Sequence, residues 1–287
     1  MRNEEKNKIV GGMLYLVSTP IGNLADMSER ALKVLSEVDF IAAEDTRNSY
    51  KLLSLIGVQK ELVSYHEHNK KSAGERLVAR LLAGESCALI TDAGMPAISD
   101  PGEDLVRLCA ESGVTVSCVP GPSAVVSALA MSALSTRKFA FEGFLSAKAS
   151  ERRRELEAVK NERRTIVFYE APHKLKNTLT DMRDIFGSER KISVCREITK
   201  LNEEILRFSL ADAVNYYEQN EPRGEFVLVV EGAPEGAVED EKSDLLSLSP
   251  EEHIAHYISQ GLSKMDAIKA AAKDRGVPKS EMYKYSI

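Results

Sequence analysis

Residues 87–102 read CALITDAGMPAISDPG, and this stretch decides the architecture. Its first four residues, Cys87-Ala88-Leu89-Ile90, form an apolar run too short for a helix and bounded by turn residues, the pattern of a buried strand. A Gly/Pro-rich loop follows, and over residues 104–109 apolar side chains return at helical spacing. Strand, loop and helix in that order put the loop at the carboxyl edge of an open α/β sheet, where such sheets bind ligands. The loop is a poor phosphate cradle: Gly94 removes a side chain and frees φ, whereas Pro96 and Pro101 stiffen the chain and withdraw two N–H donors. No lysine follows as in GxxxxGK[ST], and the chain has no GxGxxG, which sets aside P-loop kinases and ordinary dinucleotide enzymes.

The same rhythm runs outward in both directions. Residues 14–17, 40–43, 62–65 and 114–119 read as further strands. Between them lie a helix capped by Ser28 with Ala31, Leu32 and Leu35 on one side, a helix from Thr46 to Gly57, and one through Leu77, Leu81 and Leu82 that stops at Gly84. Strands alternating with helices predict a largely parallel sheet covered on both faces. After Phe139 the rhythm changes. Strands at 165–169, 192–196, 205–209 and 226–230 and helices at 172–186 and 211–217 predict a second α/β unit with a mixed or antiparallel sheet. Residues 146–164 carry seven basic and four acidic side chains; the run Arg152-Arg153-Arg154 reads as a solvated helix face, with contact to phosphate as the alternative. Residues 231–244 hold six acids against Lys242 and read as a linker, after which residues 250–287 are helical, with six basic and three acidic side chains over 264–284. The expected organisation is a flexible lead 1–12, domains 13–135 and 136–232, an acidic linker 233–249 and a helical appendage 250–287 that docks on RNA or caps a dimer.

Composition bounds the function. The chain has 287 residues, 43% of them hydrophobic and 29% charged, which suits one large or two ordinary folded domains. The formal net charge of −6 excludes bulk electrostatic adhesion to nucleic acid or anionic lipid but permits local basic patches. No stretch approaches the ~20 apolar residues of a membrane span. Cys87, Cys109, Cys118 and Cys195 lie in apolar surroundings without a CxxC pair, as reduced core residues of a cytoplasmic protein do. Two more loops match the first in placement: residues 18–23, STPIGN, and 119–124, VPGPSA, each follow a strand and are built of small residues. Three loops so placed are expected to line one cleft. His66-Glu67-His68 has metal-ligand spacing, but no second ligand cluster accompanies it, and we expect no metal there.

The strings LVSTPIGNLADMSERAL (16–32), AAEDTRNS (42–49), ALITDAGMPAISDPG (88–102), VPGPSAVVSAL (119–129), FEGFL (141–145), FYEAPHKL (168–175) and GEFVLVVEG (224–232) occur in this order and spacing. Together they make the chain resemble the ribosomal RNA small subunit methyltransferase I family, within the tetrapyrrole-methylase-like class, over residues 13–232. The resemblance implies two α/β domains of the tetrapyrrole methylase type with a cleft between them, plus a small C-terminal helical appendage. It also implies a homodimer that binds S-adenosyl-L-methionine and methylates the 2′-hydroxyl of a cytidine in the decoding region of small-subunit ribosomal RNA, free or in the assembled subunit. By motif position, Asp92, Gly94, Met95 and Pro96 would hold the amino-acid end and sulfonium, Ser123 and Ala124 the next part of the cofactor, Tyr169 the adenine, and Pro20 would close one wall.

A ribose hydroxyl is a poor nucleophile and gains from a base within hydrogen-bond reach. Glu44 and Asp45 are the leading acids, and neighbours on a strand point oppositely, so at most one faces the cleft. Each has a plainer reading as a carboxylate at a helix N-terminus. Asp100, Glu170 and Lys174 are further candidates for the base, and Arg47, His66, Asp100 and Lys174 for substrate contact. Two other functions stay open: methylation of a tetrapyrrole or modified protein side chain on the same fold, and a non-catalytic RNA-binding assembly factor.

Overall fold

Alternation with period two organises the first sheet. The computed structural model describes residues 7–234 and 245–285. Strands β1 (Met13–Val17), β2 (Phe40–Ala43), β3 (Glu61–Ser64), β4 (Cys87–Ile90) and β5 (Thr115–Val119) form an all-parallel sheet in the order β3-β2-β4-β1-β5. Leu14, Phe40, Ala42, Cys87 and Leu89 point to one face, where α3 (Lys70–Leu82) and α4 (Gly102–Glu111) cover them. Tyr15, Val17, Ile41, Ala43, Ala88 and Ile90 point to the other, covered by α1 (Glu29–Glu37) and α2 (Thr46–Leu55). This is the two-sided burial that parallel strands require. The order sets β1 between β4 and β5, so the loops leaving the carboxyl ends of these three strands are neighbours.

The second sheet has the order β6-β7-β10-β8-β9, built from β6 (Phe139–Phe144), β7 (Thr165–Glu170), β8 (Lys191–Arg196), β9 (Glu204–Ser209) and β10 (Phe226–Val230). Only β6 and β7 run parallel; the other pairings are antiparallel, so the sheet is mixed, as expected. The sequence reading has no strand at β6, whose outer residues are half exposed and lack a clean alternation. Helix α5 (Ala124–Met131) precedes residue 136 yet packs Val125, Ala128 and Leu129 on Val167, Cys195, Val227 and Val229 of this sheet. The strands divide where a 135/136 boundary puts them, but the apolar face of α5 joins the second core. By packing, both sheets belong to one unit, residues up to 157 with 165–231, while residues 158–164 and those from 232 onward form another.

The arginine run divides. Helices α6 (Ala149–Val159) and α7 (Pro172–Phe186) are joined by Arg152, which is buried and donates Nε to Asp181 Oδ2 at 2.8 Å, so this guanidinium is neither on a solvated face nor free for phosphate. Arg153 donates to Asp181 Oδ1 at 2.5 Å but is exposed, as is Arg154, in keeping with the solvated-face reading. Among the cysteines, Cys87, Cys109 and Cys195 are buried, whereas Cys118 is exposed on the edge strand β5 and so is not a core residue.

Helix α8 (Leu210–Gln219) follows β9, and in the C-terminal unit α9 (Pro250–Ser259), α10 (Lys264–Arg275) and α11 (Lys279–Met282) enclose a small core of Ile254, Ala267, Ile268, Ala271, Ala272 and Met282. A Ser249/Glu252 capping box starts α9, and Gly276 in the left-handed region ends α10. Arg275 donates Nε to Nδ1 of the buried His253 at 3.0 Å, an internal role in place of the phosphate contact its charge suggested. Lys264, Lys269, Lys273, Lys279 and Lys284 are exposed. Most of the expected acidic linker, and half of the expected N-terminal lead, lie outside the described residues. No described helix is long and apolar enough to cross a membrane.

Candidate active site

The three strand-end loops are stitched to one another by the polar atoms of residues 18 and 19. Ser18 Oγ donates to the Pro122 carbonyl at 2.5 Å, and Thr19 and Gly94 exchange backbone hydrogen bonds of 2.9 and 3.1 Å. Thr19 Oγ1 adds a bond to the Thr91 carbonyl at 3.0 Å. Gly94 sits at φ +82, with Ile21 and the Pro122 carbonyl facing the place a Cβ would take. The loops therefore meet closely, through small residues, where the sequence put them.

Together with the second sheet they enclose a cavity of about 480 Å³. Its lining brings together nine of the expected residues: Glu44, Asp92, Gly94, Met95, Asp100, Ser123 and Ala124, with Tyr169 and Glu170 from β7. Pro20 and Pro96 are not in the wall; Ile21 and Ala93 stand there beside them. Ile198, Glu225, Phe226 and Val227 also line it, a contribution from the ends of β8 and β10 that strand patterning alone does not reveal.

Glu44 and Asp45 part ways. Glu44 lines the cavity, and its Oε2 accepts from Thr91 Oγ1 at 3.2 Å. Partial burial, with smaller contributions from the Asp92 and Asp100 charges, pushes its carboxyl above the usual range, against the Thr91 hydrogen bond. Asp45 instead caps α2, accepting from the Arg47 N–H at 2.8 Å and pairing with the exposed Arg47 guanidinium at 2.8 Å. These bonds hold its carboxyl down at about 2. Neither Asp45 nor Arg47 reaches the cavity wall.

The remaining candidates divide similarly. Asp100 Oδ1 accepts from the Ala97 and Gly102 N–H groups at 3.0 and 2.7 Å, while its buried Oδ2 has no partner. His66 follows β3, outside the lining, with a buried Nδ1 that also lacks a partner. Glu170 is saturated: it accepts from Thr178 Oγ1 at 2.5 Å, from the Ala171 N–H at 2.8 Å, and pairs with Lys174 at 3.1 Å. Lys174 also donates to the Leu145 carbonyl at 3.0 Å and does not line the cavity. Tyr169 packs between Phe141 and Phe144, and burial raises its hydroxyl against a backbone hydrogen bond from Val125.

The cavity suits a cationic, partly apolar cofactor. Its walls combine small residues, the rings of Phe144, Tyr169 and Phe226, and the acidic side chains of Glu44, Asp92 and Asp100.

Residues 13–214 match the tetrapyrrole (corrin/porphyrin) methylase family. The chain is 50% identical over 272 residues to ribosomal RNA small subunit methyltransferase I of Halalkalibacterium halodurans, covering 95% of this chain and 93% of that protein. The protein of the same name from Bacillus subtilis is 47% identical over 272 residues, with the same coverage, and that of Escherichia coli O157:H7 is 41% identical over 278 residues, covering 96% and 95%. Among solved structures, a uroporphyrin-III-C-methyltransferase from Thermus thermophilus superposes with TM-score 0.55 at 21% identity, over 79% of this chain and 98% of that one. A diphthine synthase superposes with TM-score 0.58 at 14% identity, over 77% and 90%. These structural likenesses bear on the fold alone.

Proposed function

Because the chain belongs to the ribosomal RNA small subunit methyltransferase I family, we propose that it methylates the ribose 2′-hydroxyl of a cytidine in the decoding region of small-subunit ribosomal RNA. The observation that carries this reading is the convergence of three small-residue loops and the Glu44 carboxylate on one cavity. S-adenosylmethionine, when bound, supplies an electrophilic methyl group on a cationic sulfur. Asp92, Gly94 and Met95 would hold its amino-acid end, Ser123 and Ala124 its middle, and Tyr169 its adenine.

Glu44 is the general base. Ionised, the free oxygen of Glu44 would accept the proton of the 2′-hydroxyl as the ribose oxygen takes the methyl group that the cofactor would supply. Thr91 Oγ1 fixes the other carboxylate oxygen. Asp100, with one oxygen committed to the loop backbone and one unpartnered, orients the substrate. His66 contacts the RNA alongside. The protein works as a homodimer in the cytoplasm, on the rRNA or the assembled small subunit.

The test is transfer of labelled methyl groups to small subunits and to naked rRNA that lack the modification, with the site mapped by primer extension. Label on a single cytidine ribose supports the reading. Label on a tetrapyrrole or a protein side chain instead, or cofactor binding without any transfer, replaces it with one of the two other functions.

A further inference from the structure

Phe144 ends β6 in the wall of the cavity, yet 58% of it is exposed. In a regular strand, residues three apart face opposite sides. Phe141 and Phe144 do not: their rings lie 5.0 and 5.3 Å from that of Tyr169, centroid to centroid. The register explains this. Phe141 pairs with Val167 but Gly143 with Phe168, so Glu142 is an extra residue, and the bulge turns Phe144 to the side of Tyr169. Gly143 has φ +68, and a Cβ there would stand 2.9 Å from Ser99 Oγ, so only glycine lets the bulge abut the 91–101 loop. Lys174 secures the strand end through the Leu145 carbonyl, with Nζ 5.7 Å from the Phe144 ring centroid.

A bulge, a left-handed glycine and a half-buried lysine thus cooperate to present one aromatic face to the cavity. Folding alone gains little from an apolar ring left in water. Gly143, which precedes Phe144, stands by Ser99, next to Asp100, and Phe144, Ser99, Asp100 and Glu44 share the lining of the same cavity.

We infer that Phe144 is the platform on which the base of the acceptor nucleotide stacks, so that its ribose hydroxyl is held toward Glu44. The inference rests on the proposed nucleotide acceptor. Splayed-out RNA bases stack on aromatic side chains whatever their hydrogen-bonding edge, and such a platform positions without reading sequence.

Phe144→Leu, Phe144→Ala and Phe144→Tyr in the full chain test it, on small subunits lacking the modification. Phe144→Leu and Phe144→Ala are expected to lower kcat/KM for the RNA by roughly 5- to 150-fold, the range that one base–aromatic stack contributes. Phe144→Tyr, which keeps the ring, restores most of it. Calorimetric affinity for S-adenosylmethionine and the melting temperature stay at wild-type values in Phe144→Leu and Phe144→Tyr. A wild-type kcat/KM in Phe144→Leu overturns the inference, as does a parallel loss of cofactor affinity, which would give the ring to the cofactor. No rescue by tyrosine in a folded variant also overturns it. If the wild-type protein methylates no ribose, the functional reading fails; if it does and Phe144→Leu equals it, the stacking alone fails.

Discussion

Replacing Gly94 by valine separates a backbone cost from a binding cost. At φ +82 any L side chain meets the following carbonyl, a penalty of ~1–2 kcal/mol. Gly57, at φ +72 with nothing within 4 Å of its Cβ position, lets Gly57→Val incur that penalty alone. At Gly94 the Cβ would lie 3.3 Å from Ile21 Cγ2 and 3.7 Å from the Pro122 carbonyl oxygen. The valine methyls reach one C–C bond, ~1.5 Å, further. The loop cannot retreat without losing its paired backbone bonds to Thr19. Overpacking of this kind costs ~1–3 kcal/mol, and where it falls on the bound state it weakens affinity by roughly 5- to 150-fold. Both variants should fold, because the backbone cost is small beside a typical stability of ~5–15 kcal/mol. The expected result is a drop in melting temperature for both, larger for Gly94→Val because its methyls also crowd Ile21 and Pro122, and a calorimetric loss of S-adenosylmethionine affinity for Gly94→Val only. A folded Gly94→Val protein with wild-type affinity, or an equal affinity loss in Gly57→Val, refutes the argument.

Glu44→Gln should abolish single-turnover methyl transfer with cofactor affinity retained, whereas Asp45→Asn, which keeps the helix cap and loses only an exposed ion pair, should keep turnover and nearly all of the melting temperature. Since burial raises the Glu44 pKa, kcat/KM should fall as pH drops through that raised value, and a flat profile in the acid range would remove Glu44 as base. The stability linkage has the opposite sense: a raised carboxyl pKa gives a contribution that is complete below the unfolded value and lost as pH rises through the folded one, so Glu44→Gln should melt slightly higher at neutral pH. Arg152→Met removes the buried partner of Asp181, which keeps Arg153, and should cost ~1.5–3 kcal/mol in denaturant unfolding, while Arg154→Met should cost far less. Deleting residues 246–287 should preserve cofactor affinity, weaken RNA binding and flatten its salt dependence, as loss of the five exposed lysines requires; full RNA affinity in the truncated chain would make the helices structural.

Local pattern carried much of this protein. Apolar runs of four or five residues, each followed by a loop of glycine, proline and small polar residues, specify strands and strand ends without knowledge of their partners, and so residues 18–23, 91–101 and 119–124 are legible as cavity walls. Helix caps at Ser28 and Ser249 are equally local. Strand β6 escapes such reading because a bulge at Glu142 breaks the period that would announce it.

What only the tertiary structure decided depends on partners distant in sequence. Glu44 and Asp45 are indistinguishable as adjacent acids, until Thr91, 47 residues on, claims one and the α2 N-terminus the other. Arg152 is one of three like residues in a row, but Asp181, 29 residues away, takes it out of solvent. Phe144 faces the cavity because of a register shift against β7. Sequence period and composition describe the chain's preference at each point, whereas burial and side-chain direction are set by what the fold brings alongside, and that is a property of pairs.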